Sequence, residues 1–176
     1  MKKLNFVYWL TLVLATSAHA TQDPLQFELG ISLDNGDSLA VPANVEYDSN
    51  IVTQLSLGLS KQWQLDEEWR FDSAMSVSYA FTDVFAQSNS TMAAGSDLEN
   101  IGIWADSALV YTGFSDSARP FLQLGVGKVY GDYDSADVSV SGWETGYRAL
   151  AGFEFDLIGD STLRIAVGEF SVGDIE

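Results

Sequence analysis

The sequence predicts an all-β protein, an antiparallel transmembrane β-barrel with seven strands evident. Three observations carry that expectation: an amino-terminal export signal, apolar residues that alternate with a period of two, and connections that alternate between long and short. A chain of 176 residues has the length of one domain. Five Trp, seven Tyr and ten Phe accompany fifteen Gly and only three Pro, a composition suited to many glycine-spaced strands. The 25 acidic and 8 basic residues give a formal net charge of -17, so a phosphate backbone is repelled and no nucleic-acid partner is expected. The absence of cysteine excludes disulfides, thiolate nucleophiles, Cys-ligated zinc and iron–sulfur clusters.

The opening MKKLNFVYWLTLVLATSAHATQ has two lysines, an apolar run from Leu4 to Ala15, and small residues at Ala18 and Ala20. This is the order of a secretory signal peptide, and the run falls short of the roughly 20 residues that span a bilayer as a helix. The expected organisation is therefore a signal peptide over residues 1–20, cleaved after Ala20, and a barrel domain over residues 21–176. Cleavage removes His19, the only histidine, and with it a Ser-His-Asp triad or a His-ligated metal. No metal or cofactor is expected. Six bases then oppose 25 acids, a formal charge of -19.

The strands follow in order. QFELGISLD covers residues 26–34. In IVTQLSLGLSKQW, Ile51, Leu55, Leu57 and Leu59 oppose Gln54, Ser56, Gly58, Ser60 and Gln62. FDSAMSVSYAF alternates most cleanly, with Phe71, Met75, Val77, Tyr79 and Phe81 against Asp72, Ala74, Ser76, Ser78 and Ala80. Residues 100–114, 120–131, 144–157 and 161–170 complete the set. Most of these segments reach the roughly 9–11 residues of a tilted transmembrane strand.

The connections 35–49, 82–99 and 132–143 are long, whereas 64–68, 115–119 and 158–160 are short. All long loops thus share one end, expected to be the outer surface if the chain starts in the periplasm. Phe27, Trp63, Trp69, Tyr111, Phe121 and Phe155 cluster toward the short-turn end, and Tyr79, Phe81, Tyr130, Trp143 and Tyr147 toward the other, as two interfacial girdles would.

In a membrane barrel the apolar parity faces lipid and small or polar residues fill the interior. The inward set contains Glu28, Gln54, Asp72, Asp106, Gln123, Arg148, Glu154 and Arg164, interspersed with Gly30, Gly58, Gly102, Gly125, Gly127, Gly152 and Gly168. Buried charges need partners, so Arg148 and Arg164 are expected to meet Glu28, Asp72, Asp106 and Glu154 in a structural network. An acid–base catalytic pair is the competing reading of the same carboxylates, but the sequence shows no substrate cleft, and no catalytic residue is assigned. Two other readings stand beside the membrane barrel: a small passive channel, and a secreted soluble β-barrel whose apolar parity lines a cavity for a small apolar ligand.

Lys61 and Lys128 fall on the apolar parity, where their stems can reach toward headgroups, and Glu169 breaks the lipid-facing series Leu163, Ile165, Val167. Asp34, Asp37, Glu46, Asp48, Asp83, Asp97, Glu99, Asp132, Asp134 and Asp137 make the long connections acidic. They are candidates for collecting divalent cations, although DYDSAD lacks the calcium-loop pattern.

Together with the export signal and the alternation, RPFLQLGVGKVYGDYD (residues 119–134) and GWETGYRALAGFEFDLIGDSTLRIAVGEF (residues 142–170) resemble the OmpA-like or OmpX-like family of small outer-membrane β-barrels. The resemblance implies eight antiparallel strands, residence in the outer membrane among lipids and lipopolysaccharide, insertion by the barrel-assembly machinery, and internal ion pairs for Arg148 and Arg164. It also implies an eighth strand that the seven segments do not supply, and a terminal aromatic that SVGDIE lacks. Three sources are open: residues 38–47, sequence beyond residue 176, or another chain. The resemblance carries no peptidoglycan-binding domain here, and His-dependent lipid A deacylation is set aside for want of a histidine. The expected role is a non-enzymatic outer-membrane barrel that contributes to envelope structure or surface interaction.

Overall fold

The computed structural model describes residues 10–17, 25–34, 52–83, 97–115, 117–134, 139–157 and 161–173. Eight strands lie in these residues: β1 (Leu10–Ser17), β2 (Gln26–Asp34), β3 (Val52–Gln64), β4 (Trp69–Asp83), β5 (Asp97–Tyr111), β6 (Ala118–Asp134), β7 (Ser139–Asp156) and β8 (Ser161–Val172). Each pairs antiparallel with its neighbour in sequence, β2 to β8 forming a curled sheet that β1 closes into a barrel. Closure satisfies every strand edge, which a structure surrounded by hydrocarbon requires.

The barrel has the eight strands expected of the family type, but the closing strand comes from the amino-terminal side, which is none of the three sources expected for it. Leu10 to Ser17 stand opposite Leu33 to Gln26 in unbroken register, and Thr11 to Thr16 stand opposite Ala166 to Ser161. This strand lies wholly within the stretch assigned to the export signal. LTLVLATS carries both patterns, being apolar enough for the signal and alternating large and small residues as a barrel strand does. The Ala20–Thr21 bond and residues 38–47 lie outside the described residues. With β1 in place, the start of β1 and the end of β8 fall at the same end of the barrel as the long connections.

The third long connection is corrected too. β6 runs on to Asp134 and β7 begins at Ser139, so most of residues 132–143 is paired strand, with Asp132 opposite Ser141 and Tyr130 opposite Trp143. The strands outlast the apolar pattern because backbone pairing continues past the apolar residues. At the other end, the turn after β3 is held by Asp66, whose carboxylate accepts hydrogen bonds from the backbone N–H groups of Glu68 and Trp69, each at 2.8 Å.

The parity is that of a membrane barrel. Met75 is 66% exposed and Leu57 65%, whereas Asp72 is 2% exposed and Glu154 0%. Leu122, Leu124, Val126 and Val167 extend the apolar exterior. A soluble protein does not present so continuous an apolar belt to water while burying carboxylates. The apolar parity faces outward rather than into a cavity, against the soluble ligand-binding alternative.

Trp63, Trp69 and Phe153 occupy the short-turn girdle, and Tyr79, Trp143 and Tyr147 the other, all on the outside. Phe121 does not belong there: it is 6% exposed and packs in the interior. Pro120 precedes it on the outward parity, so register sends Phe121 inward.

Candidate functional site in the barrel interior

The interior is built as rungs, rows of residues standing level on adjacent strands. Arg119 on β6, Glu154 on β7 and Arg164 on β8 form one rung. Glu154 accepts from Arg119 Nη1 at 2.7 Å, from Arg70 Nη2 at 2.7 Å and from Arg164 Nε at 2.9 Å. Asp72, on β4, accepts from Arg70 Nε at 2.8 Å and Nη2 at 2.9 Å, and it also pairs with Arg164. Arg119 reaches Asp156 as well, and Glu28 stands 3.9 Å from Arg164. Multiple partners for Glu154 and Asp72 fit the cost of removing carboxylates from water, which exceeds what a single pairing offsets.

A second cluster lies higher in the barrel. Arg148 donates to Asp106 from Nε at 2.6 Å and also from Nη2, and its Nη2 lies 3.3 Å from Ser76 Oγ. Register explains the reach: Asp106, Gly125 and Arg148 stand level on β5, β6 and β7, so the arginine must cross the middle strand. A Cβ at Gly125 would come within 2.8 Å of Arg148 Cγ, so only glycine leaves the path clear. The guanidinium is covered by Trp104, 4.7 Å from the ring centroid, and by Phe170 at 5.5 Å.

Trp104 fills the level above. It stands on a rung with Gly127 and Gly146, and a Cβ at either glycine would meet its ring at 2.6 Å. Its Nε1 donates to Ser78 Oγ at 2.9 Å. Trp104, Val110, Phe121, Val129, Leu150, Ala166 and Phe170 make a buried apolar cluster inside the barrel. The expectation of a small-and-polar interior is corrected here, because glycines on one side of a narrow lumen make room for large rings from the other.

All six residues expected in the network, Glu28, Asp72, Asp106, Arg148, Glu154 and Arg164, line this interior, divided between the two clusters. Sequence reading missed Arg70 and Arg119 because each lies just before the residue taken to open its strand. Their signal was available: Arg70 shares parity with Asp72, and Arg119 shares parity with Phe121 and Gln123. The aromatic Trp104 shares parity with Asp106 and was equally open to that reading.

Between the clusters remains a cavity of about 40 Å³, bordered by Gln54, Ser76, Phe121, Gln123, Arg148 and Arg164. That volume holds about three waters. Among the described residues, no group of acids and histidines is placed to hold a metal ion.

A family model described as outer membrane protein beta-barrel domain matches residues 6–175. Among solved structures the chain is similar to Ail, the attachment invasion locus protein of Yersinia pestis, with 12% identity, coverage of 95% of this chain and 99% of that one, and a TM-score of 0.44. No curated protein matches the sequence. With its match running from before β1 to beyond β8, the chain belongs to the outer membrane protein beta-barrel domain family and resides in the cell outer membrane.

Proposed function

We propose that this protein is a non-enzymatic barrel that strengthens the envelope and offers its long-loop rim for surface contacts. The observation that carries the reading is the filled interior: four arginines, their carboxylate partners and the Trp104–Phe170 pair occupy the space that a conduit would need. Such a filling stabilises and stiffens an eight-stranded barrel. It disfavours the passive-channel reading, because a 40 Å³ cavity holds only isolated waters. It also disfavours acid–base catalysis, since Glu154 and Asp72 are engaged by arginines and closed to a substrate.

In this reading the amino-terminal segment directs export and the barrel-assembly machinery inserts the strands. Lipids and lipopolysaccharide surround the apolar belt, and the acidic rim gathers divalent cations. Reconstitution in planar bilayers tests it: no stepwise conductance above the lipid background is expected. Discrete, reproducible channel steps from heat-modifiable protein would overturn the plugged-barrel reading.

A further inference from the structure

β1 joins the two strands that end the β2–β8 sheet, but it fills the seam between them incompletely. Its pairing with β8 runs only from Thr11–Ala166 to Thr16–Ser161, whereas β8 continues to Val172. Every other neighbouring pair in the barrel is longer. The eight residues of β1 also fall short of the roughly 9–11 of a transmembrane strand.

The lumen is loosest behind the same seam. Glu28 and Ser32 on β2, with Arg164 and Ala166 on β8, stand level with β1 and border the cavity of about 40 Å³. Among the described residues Glu28 meets only Arg164, at 3.9 Å, too far for a hydrogen bond. The register position opposite Glu28 on β1 is held by Ala15, a residue with no side-chain donor. Residues 10–17 also belong to the expected export signal, and cleavage after Ala20 takes them away. β2 and β8 then become open edges facing hydrocarbon, which a membrane barrel does not tolerate.

The geometry of the seam specifies what fills it. β2 and β8 run in the same direction, so one strand of opposite direction completes both antiparallel ladders. A second copy inserted alike offers only edges parallel to these. The occupant needs about twelve residues to match Ser161–Val172, apolar residues level with Ile31 and Ile165, small ones on the other parity, and a hydrogen-bond donor level with Glu28.

We infer that the β2–β8 seam is a strand-acceptor site, which takes in place of β1 an extended segment of another polypeptide with this alternation. Its main chain pairs with both edges, and an amide side chain level with Glu28 donates to the carboxylate and occupies the cavity. The site rests on the membrane-barrel reading and holds with either end of the barrel outward.

The chain has no cysteine, so single introduced ones report pairing directly. The full chain, refolded in phosphatidylcholine vesicles, carries Ile31→Cys or Ile165→Cys at the edges, or Val77→Cys on the lipid-facing side of β4 as the control. The probe is a synthetic twelve-residue peptide of alternating leucine and alanine, with cysteine level with Ile31 and Ile165 and glutamine level with Glu28. Disulfide capture is expected at positions 31 and 165 but not at 77. Leu12→Pro, which removes a ladder hydrogen bond of β1, is expected to raise capture about tenfold, and leucine in place of the peptide's glutamine to lower it about fivefold. A Leu12→Pro chain that is not heat-modifiable alone must become so with the peptide. The site is overturned by no capture at either edge, by equal capture at position 77 or of a peptide with scrambled alternation, by disulfide-linked pairs of barrels in place of peptide capture, or by failure of that rescue. Failure of wild type itself to become heat-modifiable would overturn the underlying barrel reading instead, so the two failures are distinguishable.

Discussion

At the residue scale, the charges of this chain fall into two populations. The interior pairs four arginines with Glu28, Asp72, Asp106 and Glu154, close to neutrality, while Arg119 also reaches the exposed Asp156, so the acid excess of the whole chain lies elsewhere. Arg148→Ala removes the partner of a buried Asp106 and the cover over Trp104, and it is expected to cost about 2–5 kcal/mol of unfolding free energy in lipid vesicles. Lys61→Ala, at the short-turn girdle with its ammonium 5.5 Å from the Trp63 ring, should cost less than about 1 kcal/mol. Equal losses would refute the assignment of Arg148 to a buried pair. Glu154→Gln leaves Arg70, Arg119 and Arg164 without their shared carboxylate, and urea titration should show a loss of about 3–5 kcal/mol. The presence of charge in the interior was legible from parity. Which arginine meets which acid was not, because Arg70 lies 84 residues from Glu154 and only barrel closure brings them together.

At the element scale, the strands act through their register. Gly125 and Gly127 alternate on β6 so that Arg148 can cross to Asp106 and Trp104 can lie over the strand. Gly125→Ala is expected to destabilise by about 1–3 kcal/mol by overpacking against the Asp106–Arg148 pair, with a smaller loss in an Arg148→Ala background, where the Asp106 carboxylate is no longer held over the glycine. Additive losses would sink that explanation. At the rim, register sets Glu99 and Asp132, both exposed, level on β5 and β6. Like charges directly across a sheet repel, so Asp132→Asn should raise stability by up to about 1 kcal/mol at low ionic strength and by less in concentrated salt. A gain independent of salt would count against the repulsion. β1 shows the limit of reading one segment at a time: an apolar run long enough for an export signal also alternates as a strand, and only pairing with β2 and β8 reveals the second property.

At the scale of the whole molecule, a plugged barrel with an apolar exterior predicts resistance to unfolding. Outer-membrane fractions should contain a band that migrates differently before and after boiling, and quantitative recovery in the soluble periplasm would contradict the fold. Trp104→Ala opens the largest void available in the interior and tests the plug directly. It should lose about 3–5 kcal/mol, and an unchanged unfolding midpoint would show that the ring is not part of the stabilising core. The sequence by itself determined the class of the molecule: strand period, apolar parity, and the alternation of long and short connections are local properties that survive without knowledge of partners. It also determined that charge lies inside, since Asp72, Asp106, Arg148 and Glu154 share the parity opposite to the large aliphatic residues. Only the tertiary structure decided the register, the source of the closing strand, and how the rings of Trp104 and Phe121 are accommodated inside the lumen. The physical reason is that a lumen is a shared volume. Whether a ring fits depends on glycines two strands away, and no single strand carries that information.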